Sequence, residues 1–153
     1  MKIGAQLYTV RLFTQNETDF ARTLEQVSKI GYRSIQLSAL GPIPPKRVKA
    51  LCDDNGLKIV LSHNHEKKFL SELDNLIEEH QIYECKYVGL GSLPERYRDI
   101  TWLNRFAQDY EESARKLKDA GLMFMYHNHA FEFSRLPDGR TIMETLLDML
   151  PVE

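Results

Sequence analysis

Short runs of strand-forming residues alternate along the chain with longer amphipathic ones. Lys2 to Val10 is dense in strand formers and runs into a polar turn, Thr14-Gln15-Asn16. Phe20, Leu24, Val27 and Ile30 then recur at helical spacing, which predicts a helix with those four on its buried face. Asn16 or Thr18 can cap its start, and Gly31 supplies the left-handed residue after its end. Tyr32 to Ala39 alternates as a second strand. Pro44-Pro45 opens a second helix that turns Val48, Leu51 and Cys52 inward and ends at Asn55-Gly56.

The cycle repeats three more times. Lys58 to His63 reads as a third strand, followed by a helix marked by Leu70, Leu73 and Ile77. Lys86 to Ser92 is a fourth strand. Asp99 or Thr101 caps one long helix through Leu103, Phe106, Tyr110, Ala114 and Leu117, which Gly121 closes. Leu122 to His127 makes a fifth strand, and a turn at Pro137-Asp138-Gly139 precedes a last helix around Met143, Leu146, Leu147 and Leu150, stopped by Pro151. Strands thus begin roughly every 30 residues, the length of a strand-helix unit whose crossover makes neighbouring strands parallel. The fold class is α/β. An open doubly wound sheet lacks its glycine-rich phosphate loop here, since Gly4 stands alone after the first strand begins. A (β/α)8 barrel fits the repeat, but five units are present where eight are needed. Residues 1-153 are accordingly read as one partial barrel domain.

Composition narrows the function classes. At 153 residues and 42% hydrophobic, the chain can bury one real core and is too short for two ordinary domains. Its 20 basic and 22 acidic residues are spread along it, leaving a formal charge of -2 and no positive field for a phosphate backbone. Nucleic acid is therefore not expected as a partner. Apolar runs fall far short of a membrane span, and the N-terminus lacks a signal-peptide pattern, so a membrane is not expected either and the location expected is cytoplasmic. Cys52 and Cys85 lack metal-ligand spacing and are expected as buried free thiols.

Parallel strands bring their C-terminal ends to one face, where ligands bind. Those ends carry Gln6, Tyr8 and Arg11 on the first strand, Gln36 and Ser38 on the second, and Ser62-His63-Asn64-His65 on the third. The fourth contributes Gly91-Ser92 and the fifth His127, Asn128, His129 and Glu132. Gln36 has two readings, one as a satisfier of buried backbone groups and one as a ligand contact. His65, followed by Glu66-Lys67-Lys68, reads as a solvated helix start, and Arg11 as a lone surface or packing cation. Tyr126 and His127 must face opposite sides, because strand side chains alternate. Glu132, between Phe131 and Phe133, either faces solvent or is drawn inward by a metal or an arginine.

The opening Ile3-Gly4-Ala5-Gln6-Leu7-Tyr8-Thr9-Val10-Arg11, the phrase Gly31-Tyr32, Ser62-His63, and Tyr126-His127-Asn128-His129 followed by Glu132-Phe133 together resemble the xylose-isomerase-like sugar phosphate isomerase/epimerase family, in order along essentially the whole chain. The resemblance implies a TIM barrel with a divalent metal (Mn, Mg, Co or Zn) held by residues of strands five to eight. It also implies proton transfer on a sugar, keto-sugar or inositol derivative through an enediolate. By that resemblance Glu132 is the catalytic carboxylate and the strand-five metal ligand, although several relatives carry their glutamate where Tyr126 stands. Gln6, Tyr8, Gln36, His63, His127 and His129 then contact a small-molecule carbohydrate.

The length departs from that family. The strands that would bring the remaining ligands are missing, and one ligand cannot hold a metal, so whether the chain acts as an enzyme by itself stays open. It is expected to be a truncated product, incomplete as a catalyst, and to pair as a homodimer or larger homo-oligomer that covers its open edges. A non-catalytic half-barrel acting as an assembly or binding module is the alternative. An abasic-site endonuclease, which shares the fold, is disfavoured by the charge balance.

Overall fold

The computed structural model describes residues 3–149. Five strands, β1 (Ala5–Gln6), β2 (Ser34–Ser38), β3 (Lys58–Asn64), β4 (Tyr87–Leu90) and β5 (Met123–Tyr126), form one sheet in the order β1-β2-β3-β4-β5. Every pairing is parallel. Strands laid down consecutively without reversal are the arrangement of a (β/α)8 barrel; a doubly wound sheet reverses its order at a switch point. The chain is thus an α/β protein with five units of a partial TIM barrel. No helix among the described residues is long and apolar enough to cross a membrane.

The connecting helices are α1 (Glu17–Ile30), α2 (Pro45–Asp54), α3 (Glu66–Leu70), α4 (Leu73–Tyr83), α5 (Ile100–Leu103) and α6 (Phe106–Asp119), with α7 (Ile142–Met149) after β5. Asn16, not Thr18, caps α1 by accepting from the Asp19 N–H, and Gly31 ends it at φ 112° in the left-handed region. Asp99, not Thr101, caps α5 by accepting from the Thr101 N–H. The core forms two clusters. Leu7, Phe20, Leu24, Ile35, Leu37, Val48 and Ile59 lock α1 and α2 onto the first strands, and Phe69, Leu76, Val88, Leu90, Tyr97, Phe106 and Tyr110 lock the later helices onto β4 and β5. Cys52 and Cys85 are buried free thiols, and burial pushes the Cys52 thiol up to about 12.

Several expected boundaries move, each for a local reason. The first strand ends at Gln6, and Leu7–Phe13 winds into 3-10 turns because Leu7 is fully buried and Gln15 ties the turn to β2 through Ala39 O at 2.8 Å. The expected third helix breaks at Ser71-Glu72. The Phe69 carbonyl, which would accept the next helical N–H, instead accepts the Ser113 hydroxyl of α6 at 2.8 Å, so Phe69 is the buried anchor and Leu70 is exposed. The long fourth helix breaks at Asn104-Arg105, where Arg105 N–H bonds the Trp102 carbonyl three residues back, and a 3-10 turn, Glu95–Arg98, precedes it. Ile30, 73% exposed, and Leu147 do not join the core; Ile142, Thr145 and Leu146 form the buried face of α7. Lys2, Leu150 and Pro151 lie outside the described residues.

Candidate substrate site at the strand ends

Alternation sorts the strand residues onto two faces. Ile35 and Leu37 on β2, Ile59 on β3, and Val88 and Leu90 on β4 meet the helices. So do Phe124, packed on Phe69 and Tyr110, and Tyr126, packed edge-on against Phe106. The residues between them, Gln36, His63, Gly89, Met125 and, one step past β5, His127, take the opposite, inner face. The register fixes their neighbours, with Gln36 beside Leu61 on β3. Gln6 lies beside Gln36, Ser38 beside His63, His63 beside Gly89, and Gly89 beside Met125. His127 continues the β5 ladder, its N–H bonding the Leu90 carbonyl at 3.1 Å.

This row collects much of what the sequence nominated. The His63 and His127 rings approach to 4.3 Å between centroids even though β4 runs between their strands. They can do so because β4 carries Gly89 there: a Cβ at that position would lie 2.5 Å from the Ser62 carbonyl oxygen and 3.0 Å from the His63 ring. The His127 ring in turn meets His129 edge-on at 4.8 Å. Burial, then the neighbouring His127 and His129, push His63 down to about 4, and burial with His129 also lowers His127, against a smaller opposing pull from Glu132. His63 is therefore neutral at pH 7 and offers one donor and one acceptor. Gln36 extends into the same face, and its Nε2 is buried without a hydrogen-bond partner among the described residues.

Three nominated residues sit elsewhere. Tyr8 leaves the sheet with the 3-10 turn; its ring is half exposed beneath the Arg11 guanidinium, 4.3 Å away. His129 turns its side chain back to accept from the Glu132 N–H and stacks on Phe131. Glu132 is 0% exposed, with Oε1 accepting from the Tyr126 hydroxyl at 2.6 Å and Oε2 from the His129 N–H at 2.7 Å. His65 caps α3, as its neighbours suggested. A divalent metal would need several donors converging on one point. The one carboxylate nominated for it is enclosed with both oxygens engaged, and among the described residues no group of three His, Cys, Asp or Glu can hold a metal ion. The described residues therefore do not fit a metal centre.

Sequence reading missed Gly89 and Arg98. The signal for the first was Gly89-Leu90-Gly91 inside a strand, since glycine there marks a close approach of another group. Arg98, bonded twice to the Leu93 carbonyl and set 4.0 Å over the Phe131 ring, left no pattern. Ser62 and His80 imitate a nucleophile and base at 2.5 Å. His80 Nδ1–H is committed to the Leu76 carbonyl, so Nε2 accepts from Ser62, and both residues are buried against the helices, where they staple α4 to β3. Two half-open concavities also lie away from the row, about 350 Å3 between the α3–α4 turn and α6 and about 440 Å3 beside Leu57 and Tyr83. The strand-end row lines neither of them.

No profile of a known protein family and no curated protein sequence matches the chain. Solved structures do. A sugar phosphate isomerase/epimerase from Parabacteroides distasonis superposes with a TM-score of 0.81 at 25% identity, over 98% of this chain and 62% of that one. A family 2 AP endonuclease from Brucella melitensis (TM-score 0.59, 16% identity, 82% of this chain and 55% of that one) shares the fold. So does a xylose isomerase domain protein from Planctomyces limnophilus (0.57, 14%, 84% and 54%). The fold is that of the xylose-isomerase-like TIM barrels, and the chain spans less than two thirds of the length of each.

Proposed function

We propose that the chain forms the first five units of a sugar phosphate isomerase/epimerase-like barrel, cytoplasmic as its buried free thiols suggest, and that its strand-end row binds a small polyhydroxylated carbohydrate. The observation that carries this reading is the unpartnered Gln36 amide nitrogen on the same sheet face as the neutral His63–His127 pair. Sugar hydroxyls demand neutral groups that both donate and accept, and an amide with two neutral imidazoles supplies them. The likeness to the Parabacteroides distasonis structure supports the same substrate class. Isomerisation of a sugar also needs a base beside the carbon that loses its proton and an electrophile at the carbonyl. The described strand residues bring no carboxylate to the row, and the part proposed for this chain is binding and orientation. Titrating a panel of aldoses, ketoses and their phosphates while following backbone resonances is the test. At least one should shift Gly89 and His127, with His63→Ala and Gln36→Ala each weakening binding about tenfold. If no sugar perturbs these positions at tens of millimolar (a binding free energy weaker than about 2–3 kcal/mol), the reading fails.

A second reading, pairing with another copy of the chain, is favoured by a separate observation. Val60, Tyr87, Met123 and Met125 lie exposed on the inner face, and among the described residues β1 and β5 each have one strand neighbour. Association would bury that apolar face and those edges. Light scattering at micromolar concentration should find a dimer or larger species; a monodisperse monomer overturns the pairing.

A further inference from the structure

We infer that Glu132 is a positioning residue, a buried carboxylate that folds the His127–Phe133 loop and so sets the imidazoles of the strand-end row. Its location comes first. Tyr126 shares the helix-facing side of β5 with Phe124, and its hydroxyl holds Glu132 Oε1 at 2.6 Å. The carboxylate is thereby anchored away from the inner face that carries Gln36, His63 and His127. Its second oxygen then accepts the His129 N–H, while the Glu132 N–H returns a bond to the His129 side chain. This reciprocal arrangement closes the turn Ala130–Phe133 from both ends.

The closure has a downstream effect. His129 is held by its bond from the Glu132 N–H and by stacking on Phe131, and Phe131 is itself covered by the Arg98 guanidinium. The fixed His129 ring presents its edge or face to His127, which in turn contacts His63. Glu132 thus reaches the row through His129 without touching it. A buried carboxylate is costly unless its oxygens are satisfied, and here two donors satisfy them. Glutamine at 132 can keep both bonds: its carbonyl accepts the His129 N–H, and its amide can donate to the Tyr126 oxygen, which also accepts. Glutamine would be a poor replacement for a metal ligand, so the two roles separate experimentally.

The test compares Glu132→Gln, Glu132→Ala and Tyr126→Phe in the full chain. The readouts are hydrogen exchange at the His129 amide, the ring resonances of His127 and His63, and binding of Mn2+ and Zn2+ by calorimetry. Glu132→Ala should speed His129 exchange at least about tenfold and move the His127 and His63 ring signals. Tyr126→Phe should do the same more weakly, and it keeps the test readable if the alanine variant does not fold. Glu132→Gln should restore protection and ring shifts and leave metal binding as in the parent chain. The inference is overturned if Glu132→Gln abolishes metal binding while His129 stays protected, or if neither Glu132→Ala nor Tyr126→Phe alters His129 exchange. Although the positioning role rests on the row being a binding site, these readouts need no sugar; failure of every sugar to bind would sink that site and leave the loop result standing.

Discussion

The two faces of the sheet are built from the same strands and meet opposite fates. On the helix side Ile35, Leu37, Ile59, Val88 and Leu90 are buried. On the inner side, one residue along, Val60, Tyr87, Met123 and Met125 are apolar and exposed, and only toward the strand ends does that side turn polar with Gln36, His63 and His127. A sheet meant to face water on one side alternates apolar with polar along its length, whereas strands buried on both faces read as nearly continuous apolar runs. Met123-Phe124-Met125-Tyr126 is of the second kind. The strands are written for burial on both faces, and the described residues cover one.

Stability measurements can break this comparison most directly. Phe106 is fully buried and touches the rings of Tyr97, Tyr110 and Tyr126, so Phe106→Ala should cost about 3–5 kcal/mol of unfolding free energy. Met125, at 38% exposure on the inner face, has less burial to lose than Phe106, and Met125→Ala should cost only about 1–2 kcal/mol. Urea denaturation of the two variants measures both. Similar losses would mean that the inner face is packed in solution, and a concentration-dependent loss for Met125→Ala would point to the second copy as what packs it.

The same contrast explains what the sequence disclosed. The repeat, its parallel sense and the fold class were legible because burial on the helix side imposes period-two and helical spacings on local stretches. Asn16, Gly31 and Asp99 were legible as caps because capping uses residues next to the end it satisfies. Breaks in helices were not. The one at Ser71 depends on Ser113, 44 residues from the carbonyl it takes, and no local pattern carries that. Thr141 and Glu144 cap α7 reciprocally, an N–H to Oε2 bond of 2.6 Å answered by one of 3.1 Å to Oγ1; their spacing was available as a capping box and was overlooked. In the site, side-chain alternation correctly parted Tyr126 from His127. Glu132 was harder, since a buried carboxylate and a metal-bound one read alike until the donors around it are seen.

A smaller effect sharpens the inner face from its polar end. Burial and the neighbouring imidazoles hold His63 near 4 in place of its ordinary 6.5. Between those values the unfolded chain binds a proton at this residue that the folded chain refuses, so stability falls as pH drops from 6.5 toward 4, and the contribution is fully present above 6.5. At pH 5 the full linkage is reduced because the ring is partly solvated, leaving a loss on the order of 1 kcal/mol. His63→Gln removes the titrating group while keeping a hydrogen-bonding side chain beside Gly89. Unfolding free energies at pH 7.5 and pH 5 should therefore differ less in the variant than in the parent chain by about that amount, with the buried His80, whose value burial also lowers, contributing equally to both. If the two chains lose stability alike, His63 is solvated as freely in the folded state as in the unfolded one. The Gln36–His63–His127 row would then be an open surface, not a site that excludes water from its imidazoles.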